Sequence, residues 1–130
     1  MPPLRLITML ALLTAATAAA QPVRREAPPE VSITVWSYGF APQPIRLTAG
    51  KPVTLTFVNR SGSGHDFTAR EFFEAATYLA GSDRVSGGKV DLKPHQTRKV
   101  SLVPRAGTYP VHCGRFLHKQ MGMRETIVVE

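Results

Sequence analysis

The chain has 130 residues and carries 16 Lys and Arg against 9 Asp and Glu, a formal net charge of +7. This length suffices for one domain with one hydrophobic core, and the single cysteine excludes an intrachain disulfide. The basic residues are scattered rather than clustered, so the charge predicts acidic partners or an anionic surface and not nucleic acid.

The first 20 residues are typical of a secretory signal peptide. Arg5 gives a positive start, residues 6–13 form a short apolar run, and residues 18–20 are all Ala, as at a cleavage site. The apolar run is too short to span a bilayer; a retained anchor is the alternative interpretation. We therefore expect an exported, periplasmic protein. Without Arg5 its 15 basic and 9 acidic residues give a net charge of +6.

A β pattern begins at residue 31. Residues 21–30 contain three prolines and lack apolar periodicity, which predicts a disordered lead-in. Residues 31–35 and 53–59 then alternate apolar and polar side chains, as in strands with one buried face. Residues 45–48 predict a short strand between them, and residues 61–64 a loop that leads to His65.

One helix is predicted over residues 69–80. Thr68 is a good N-cap, Glu71 three residues later completes a capping box, and Gly81 is a natural stop. Residues 89–93 and 97–103 then predict a hairpin, and residues 108–113 and 125–129 two further strands. Seven to eight short strands with one inserted helix predict an all-β Greek-key sandwich, a single domain over residues 31–130. Loops cluster at the ends of a sandwich, so His65 should lie near residues 113–123.

Most of the residues that could bind a metal lie near the C-terminus. Cys113, His118 and Met123 follow one another at Cys-x4-His-x4-Met spacing. Together with His65 they supply two imidazoles, one thiolate and one weak axial thioether, the ligand set of a blue-copper electron-transfer site. Met121 is the alternative axial ligand, and Met123 is preferred because it directly precedes the last strand. A single buried cysteine can also be only a small apolar residue.

These motifs make the chain resemble the cupredoxins, the family of plastocyanin, azurin, auracyanin and rusticyanin. The resemblance rests on the block from Tyr109 to Glu130 and on residues 59–67. It implies one type 1 copper ion held by His65, Cys113, His118 and Met123, and single-electron transfer through His118. Electrons would then pass through His118 at an apolar patch formed by Phe116, Leu117, Met121 and Phe40.

The chain departs from the family pattern at two positions. Asp66 stands where many members have Asn, and its side chain is expected to accept a hydrogen bond from the cysteine loop. Arg115 stands where plastocyanin-like loops often have Pro, so its amide is available to the Cys113 sulfur. The two changes are expected to move the reduction potential in opposite directions.

The sequence does not predict an enzyme. His112 precedes Cys113, as in copper nitrite reductases, but only His95 would remain to help it bind a catalytic copper. We expect redox protein partners, no small-molecule substrate and a monomer. Two alternatives stay open: a periplasmic copper-trafficking protein that hands on Cu(I), and a cupredoxin-like interaction module that has lost its metal.

Overall fold

The computed structural model describes residues 16–115 and 123–130. Residues 16–29 contain no helix or strand. In the described part of the chain, no helix is long and apolar enough to cross a membrane. The strands and the helix, in chain order, are β1 (Glu30–Trp36), β2 (Gly39–Ala41), β3 (Ile45–Leu47), β4 (Val53–Asn59), β5 (His65–Thr68), α1 (Arg70–Ala75), β6 (Thr77–Tyr78), β7 (Lys89–Leu92), β8 (Thr97–Val103), β9 (Gly107–His112) and β10 (Arg124–Val129).

The strands of the described residues form two five-stranded sheets, in the orders β2-β1-β4-β8-β6 and β3-β10-β9-β5-β7. Strands β1 and β4 run parallel, as do β3 and β10, and the other pairs are antiparallel. This confirms the predicted all-β sandwich with one helix. The strands outnumber the predicted seven to eight because β2, β5 and β6, which were not predicted, are only two to four residues long, too short to produce a periodic pattern.

The core lies between the sheets, on the faces that the alternating pattern predicts. Ile33 and Val35 of β1 and Leu55 and Phe57 of β4 are fully buried. Phe67 of β5 packs among three other aromatic rings, with centroid distances of 5.5 Å to Phe40, 4.8 Å to Phe57 and 6.2 Å to Phe73. Burial of each such side chain contributes about 1.5–3 kcal/mol to the stability of the fold.

The helix is shorter than predicted, because α1 ends at Ala75 and not near residue 80. The predicted N-cap is also wrong: Ala69 occupies that position and no side chain caps the helix. Thr68 instead belongs to β5, and its hydroxyl donates to Oδ1 of Asp66 at 2.6 Å. Beyond Ala76 the chain is extended, and β6 pairs with Leu102 and Val103 of β8. At both ends of α1, pairing with a neighbouring strand therefore overrides the helical pattern of the sequence.

The predicted hairpin of residues 89–103 is also wrong. Strand β7 pairs with β5 in one sheet, whereas β8 pairs with β4 in the other. The turn at Pro94 and His95 thus carries the chain from one sheet to the other. Two adjacent strands joined by a short turn have the same sequence pattern in either arrangement, so the pattern alone did not separate them.

Candidate metal centre

The turn before β5 is held by Asn59, a buried residue at the end of β4. Its side-chain amide donates to the carbonyl of Ser63 at 2.8 Å and to that of Lys93 at 3.0 Å. Its Oδ1 accepts from the amide and the hydroxyl of Ser61, at 3.0 and 2.9 Å. These bonds fix the start of β5 and with it His65. The sequence predicts no role for Asn59, although a polar residue at the end of an apolar strand is a recognisable signal.

His65 is the first residue of β5 and is 1% exposed. The sequence placed it on a loop, but it pairs in register with Leu92 of β7. Its Nε2 atom is buried. The imidazole is therefore held by a strand at the edge of the core, at the end of the sandwich where Asn59 closes β4.

Cys113 follows directly after β9 and is fully buried, as the alternation through Val111 predicts. Its backbone amide donates to the carbonyl of Met123 at 3.0 Å, and Met123 is fully buried too. This hydrogen bond joins the backbone of the two buried sulfur-containing residues.

Two backbone amides donate to the sulfur of Cys113. The amide of Asp66 lies 3.5 Å from Sγ, which places the residue next to His65 beside the thiol. The amide of Arg115 donates as well, as its position in the loop predicts. Burial raises the pKa of the Cys113 thiol, while these two hydrogen bonds lower it. In the metal-free protein the balance favours the neutral thiol.

Asp66 links the two segments that carry His65 and Cys113. Its Oδ1 accepts the amide of Gly114 at 2.7 Å as well as the hydroxyl of Thr68. This confirms the predicted hydrogen bond from the cysteine loop to Asp66. Asp66 is 4% exposed, and its electrostatic effect is one of the lesser causes that raise the pKa of the Cys113 thiol.

A second contact joins these segments on the outside. A Cβ atom at Gly64 would lie 3.0 Å from Nη2 of Arg115, closer than ordinary packing allows. The guanidinium group of Arg115 therefore covers Gly64, the residue before His65. This contact depends on the absence of a side chain at Gly64 and was not predicted.

The remaining predicted site and patch residues either fall outside the described residues or take no part in the described site. His118 and the alternative axial ligand Met121 fall outside the described residues, as do Phe116 and Leu117 of the predicted apolar patch. Phe40 does not belong to a surface patch, because it is fully buried against Phe67. His112 is partly exposed, and His95 is exposed with a φ of 59°.

The side chains described at this end are of the types that bind soft metal ions. Within residues 16–115 and 123–130, no three His, Cys, Asp or Glu side chains are grouped closely enough to hold a metal ion. The buried donors at this end are instead one imidazole, one thiol and one thioether. Sulfur ligands favour Cu(I) and imidazole suits copper in general, and a bound cation would keep the buried thiol deprotonated. The chemistry of this donor set therefore fits copper.

Comparison with known proteins agrees with this fold. The family described as cupredoxin-like domain matches residues 6–129. Among solved structures, a dithionite-reduced auracyanin from Roseiflexus castenholzii is 18% identical with a TM-score of 0.59, over 81% of this chain and 99% of that one. Auracyanin B is 24% identical with a TM-score of 0.58, over 81% and 91% of the two chains.

A third similar structure is a multicopper oxidase from Campylobacter jejuni, 12% identical with a TM-score of 0.59. The similarity covers 80% of this chain but only 30% of the oxidase. No curated protein matches the sequence significantly. At these identities the structural matches establish the fold.

Proposed function

The chain belongs to the cupredoxin-like domain family, and from this premise we propose that it is an exported type 1 copper protein that carries single electrons between redox protein partners. The observation that supports the proposal is the hydrogen bond from the amide of Asp66, the residue after His65, to the Cys113 sulfur at 3.5 Å. His65 and Cys113 are both buried and come from segments that are distant in sequence. The similarity of the fold to the auracyanins supports the same assignment.

In the proposed site His65, Cys113 and His118 are the strong ligands, and Met123 is the weak axial ligand, with Met121 as the alternative. Bound copper would supply the Cu(I)/Cu(II) couple. The protein keeps water from the described ligands by burying them and fixes their orientation through the hydrogen bonds of Asn59 and Asp66. Ligands held in one arrangement need little rearrangement when the charge of the site changes.

We assign no catalytic reaction to the chain. A second, catalytic copper bound through His112 would need about three protein ligands. The sequence has four histidines, of which the proposed site uses His65 and His118. We further propose that residues 1–20 direct the protein to the periplasm and that it acts there as a monomer.

The competing function is copper trafficking, in which the protein hands its metal on. Repeated reduction and reoxidation of the copper-loaded protein in the presence of a Cu(I) chelator separates the two. An electron carrier keeps its copper through every cycle and returns to the same spectrum. Loss of copper to the chelator in the reduced state would contradict the electron carrier and favour trafficking. Cys113→Ser is the control, since without the thiolate copper should be lost in either state.

A further inference from the structure

Two aromatic side chains are exposed at the end of the sandwich that holds His65. Trp36 ends β1, Tyr38 lies in the turn that follows, and they are 39% and 56% exposed. Val35 pairs in register with Asn59, whose side chain holds the turn before His65. The aromatic pair therefore lies at the same end as the proposed metal site.

Three cationic side chains come from the loops next to this pair. The amide of Arg60 donates to the carbonyl of Val35 at 2.8 Å, which places Arg60 beside Trp36. Lys93 is joined to Asn59 through its carbonyl at 3.0 Å. The guanidinium group of Arg115 covers Gly64. All three residues are exposed.

No exposed carboxylate offsets these cations locally. Residues 36–39, 60–64, 93–96 and 113–115 contain no Asp or Glu. The ion pairs among the described residues are Arg46–Glu130, Lys89–Asp91 and Lys99–Glu30, and none includes Arg60, Lys93 or Arg115. Arg46 at the opposite end is paired with Glu130, and Lys99 in the middle of the sheet is paired with Glu30. Among the described residues, Lys51 and Arg105 at the opposite end likewise take part in no ion pair, so the feature that sets this end apart is the exposed aromatic pair beside its cations.

We propose that Trp36, Tyr38, Arg60, Lys93 and Arg115 form a docking surface for an acidic protein, the redox partner of the proposed function. Aromatic residues and Arg are the residues enriched in protein interfaces. A cationic rim around them attracts a surface rich in Asp and Glu. This choice of partner rests on the proposed function, whereas the surface itself does not require copper.

The single tryptophan of the chain, Trp36, reports binding directly. A polyglutamate peptide serves as the acidic probe, and Trp36 fluorescence is followed during its titration into the metal-free protein at low salt. The double variant Arg60→Glu with Lys93→Glu tests the surface. Lys51→Glu with Arg105→Glu is the matched control, since it makes the same charge change at exposed residues of the opposite end. Circular dichroism verifies that both variants fold.

The wild type should bind the peptide with a saturable change in Trp36 fluorescence that salt weakens. The Arg60/Lys93 variant should bind at least about tenfold more weakly, and the Lys51/Arg105 control should lose less than about threefold. Equal losses in the two variants would overturn the proposal, because net charge alone would then explain binding. Binding of phosphatidylglycerol vesicles without binding of the peptide would overturn it in favour of a membrane surface.

The copper-loaded protein gives a second, independent measurement. Oxidation of its reduced form by the anion hexacyanoferrate(III) should slow more in the Arg60/Lys93 variant than in the control, because steering by local charge is lost. Equal slowing in both variants would contradict the surface. If the protein binds the peptide but loses copper during redox cycling, the docking surface is supported and the proposed electron-carrier function is contradicted.

Discussion

A buried thiol ionises at a cost, and the groups around Cys113 change that cost in both directions. Burial raises its pKa, whereas the amides of Asp66 and Arg115 donate to its sulfur and favour the thiolate. The side chain of Asp66 raises the pKa of the thiol electrostatically and that of Arg115 lowers it, both to a smaller extent than burial. The two departures from the usual family pattern therefore act on the sulfur in opposite directions.

The charge of Asp66 and its hydrogen bond can be tested separately. Asp66→Asn keeps an oxygen that can accept the Gly114 amide but removes the charge, so the reduction potential should rise, by on the order of 50 mV. Asp66→Ala also removes the acceptor, and hydrogen exchange of the Gly114 amide should accelerate. Voltammetry and amide exchange measure the two effects. Asp91→Asn, in register with Asp66 but exposed, is the control; a shift as large there would refute a local effect.

The axial role is expected at Met123, which is fully buried next to Cys113. Met123→Leu conserves volume and should leave the fold intact. Copper should stay bound while the reduction potential and the visible spectrum change, because an axial thioether tunes the site more than it holds the metal. Met121→Leu should change neither. The reverse result would assign the axial position to Met121.

At the scale of single residues, several features of the candidate site can be predicted from residue types and their spacing. The burial of Cys113 and the hydrogen bond to Asp66 were predictable from the strand alternation and the family pattern, whereas the roles of His65 and Cys113 as ligands stay predictions. The Asn59 network and the contact of Arg115 with Gly64 were not predictable, since both depend on how loops distant in sequence pack together.

At the scale of elements, β5 connects the site to the core. It carries His65 at its start and Phe67 two residues later, within a cluster of aromatic rings. The sequence missed this strand because four residues between a loop and a helix give too short a pattern. It overextended α1 for a related reason: the alanine-rich continuation favours a helix, but pairing with β8 wins.

Replacing Phe67 should therefore affect both stability and the site. Phe67→Ala removes a fully buried ring and should lower the unfolding free energy by about 3–5 kcal/mol, measured by urea denaturation. The visible spectrum of the copper form should broaden as β5 loosens. Tyr38→Ala removes an exposed ring and should cost no more than about 0.5 kcal/mol. Similar losses in both variants would mean that the aromatic cluster does not anchor β5.

Glu30 joins three strands of the other sheet. Its carboxylate accepts from Lys99 of β8 at 2.9 Å and from Thr56 of β4 at 2.6 Å, and these hydrogen bonds hold its pKa below the ordinary value. Its stabilising contribution is therefore complete above the ordinary pKa of a glutamate and is lost as pH falls through the lowered value.

Glu30→Gln should accordingly reduce the loss of unfolding free energy between about pH 5 and pH 3. Denaturation curves over this range measure it. Glu74→Gln, at an exposed position of α1, should retain the acid dependence of the wild type. An unchanged acid dependence in Glu30→Gln would show that these hydrogen bonds contribute nothing.

At the scale of the whole molecule, the sandwich brings distant segments to one end. Alternating strands and frequent turns predicted this architecture, and the clustering of loops predicted that residues 65 and 113 meet. The assignment of β7 and β8 to different sheets was not predictable, because local pattern does not encode the partner of a strand. The placement of Arg60, Lys93 and Arg115 at the end with the exposed aromatic pair also follows only from the fold, since these residues are far apart in the sequence.

The absorption spectrum of the protein loaded with Cu(II) tests the central claim most directly. A type 1 site should give an intense thiolate-to-copper band at one copper per chain, because the Cys113 sulfur overlaps strongly with the metal orbital. The band should disappear on reduction, return on reoxidation and be absent from Cys113→Ser. A colourless or weakly coloured complex with an intact fold would contradict the proposed electron-transfer site.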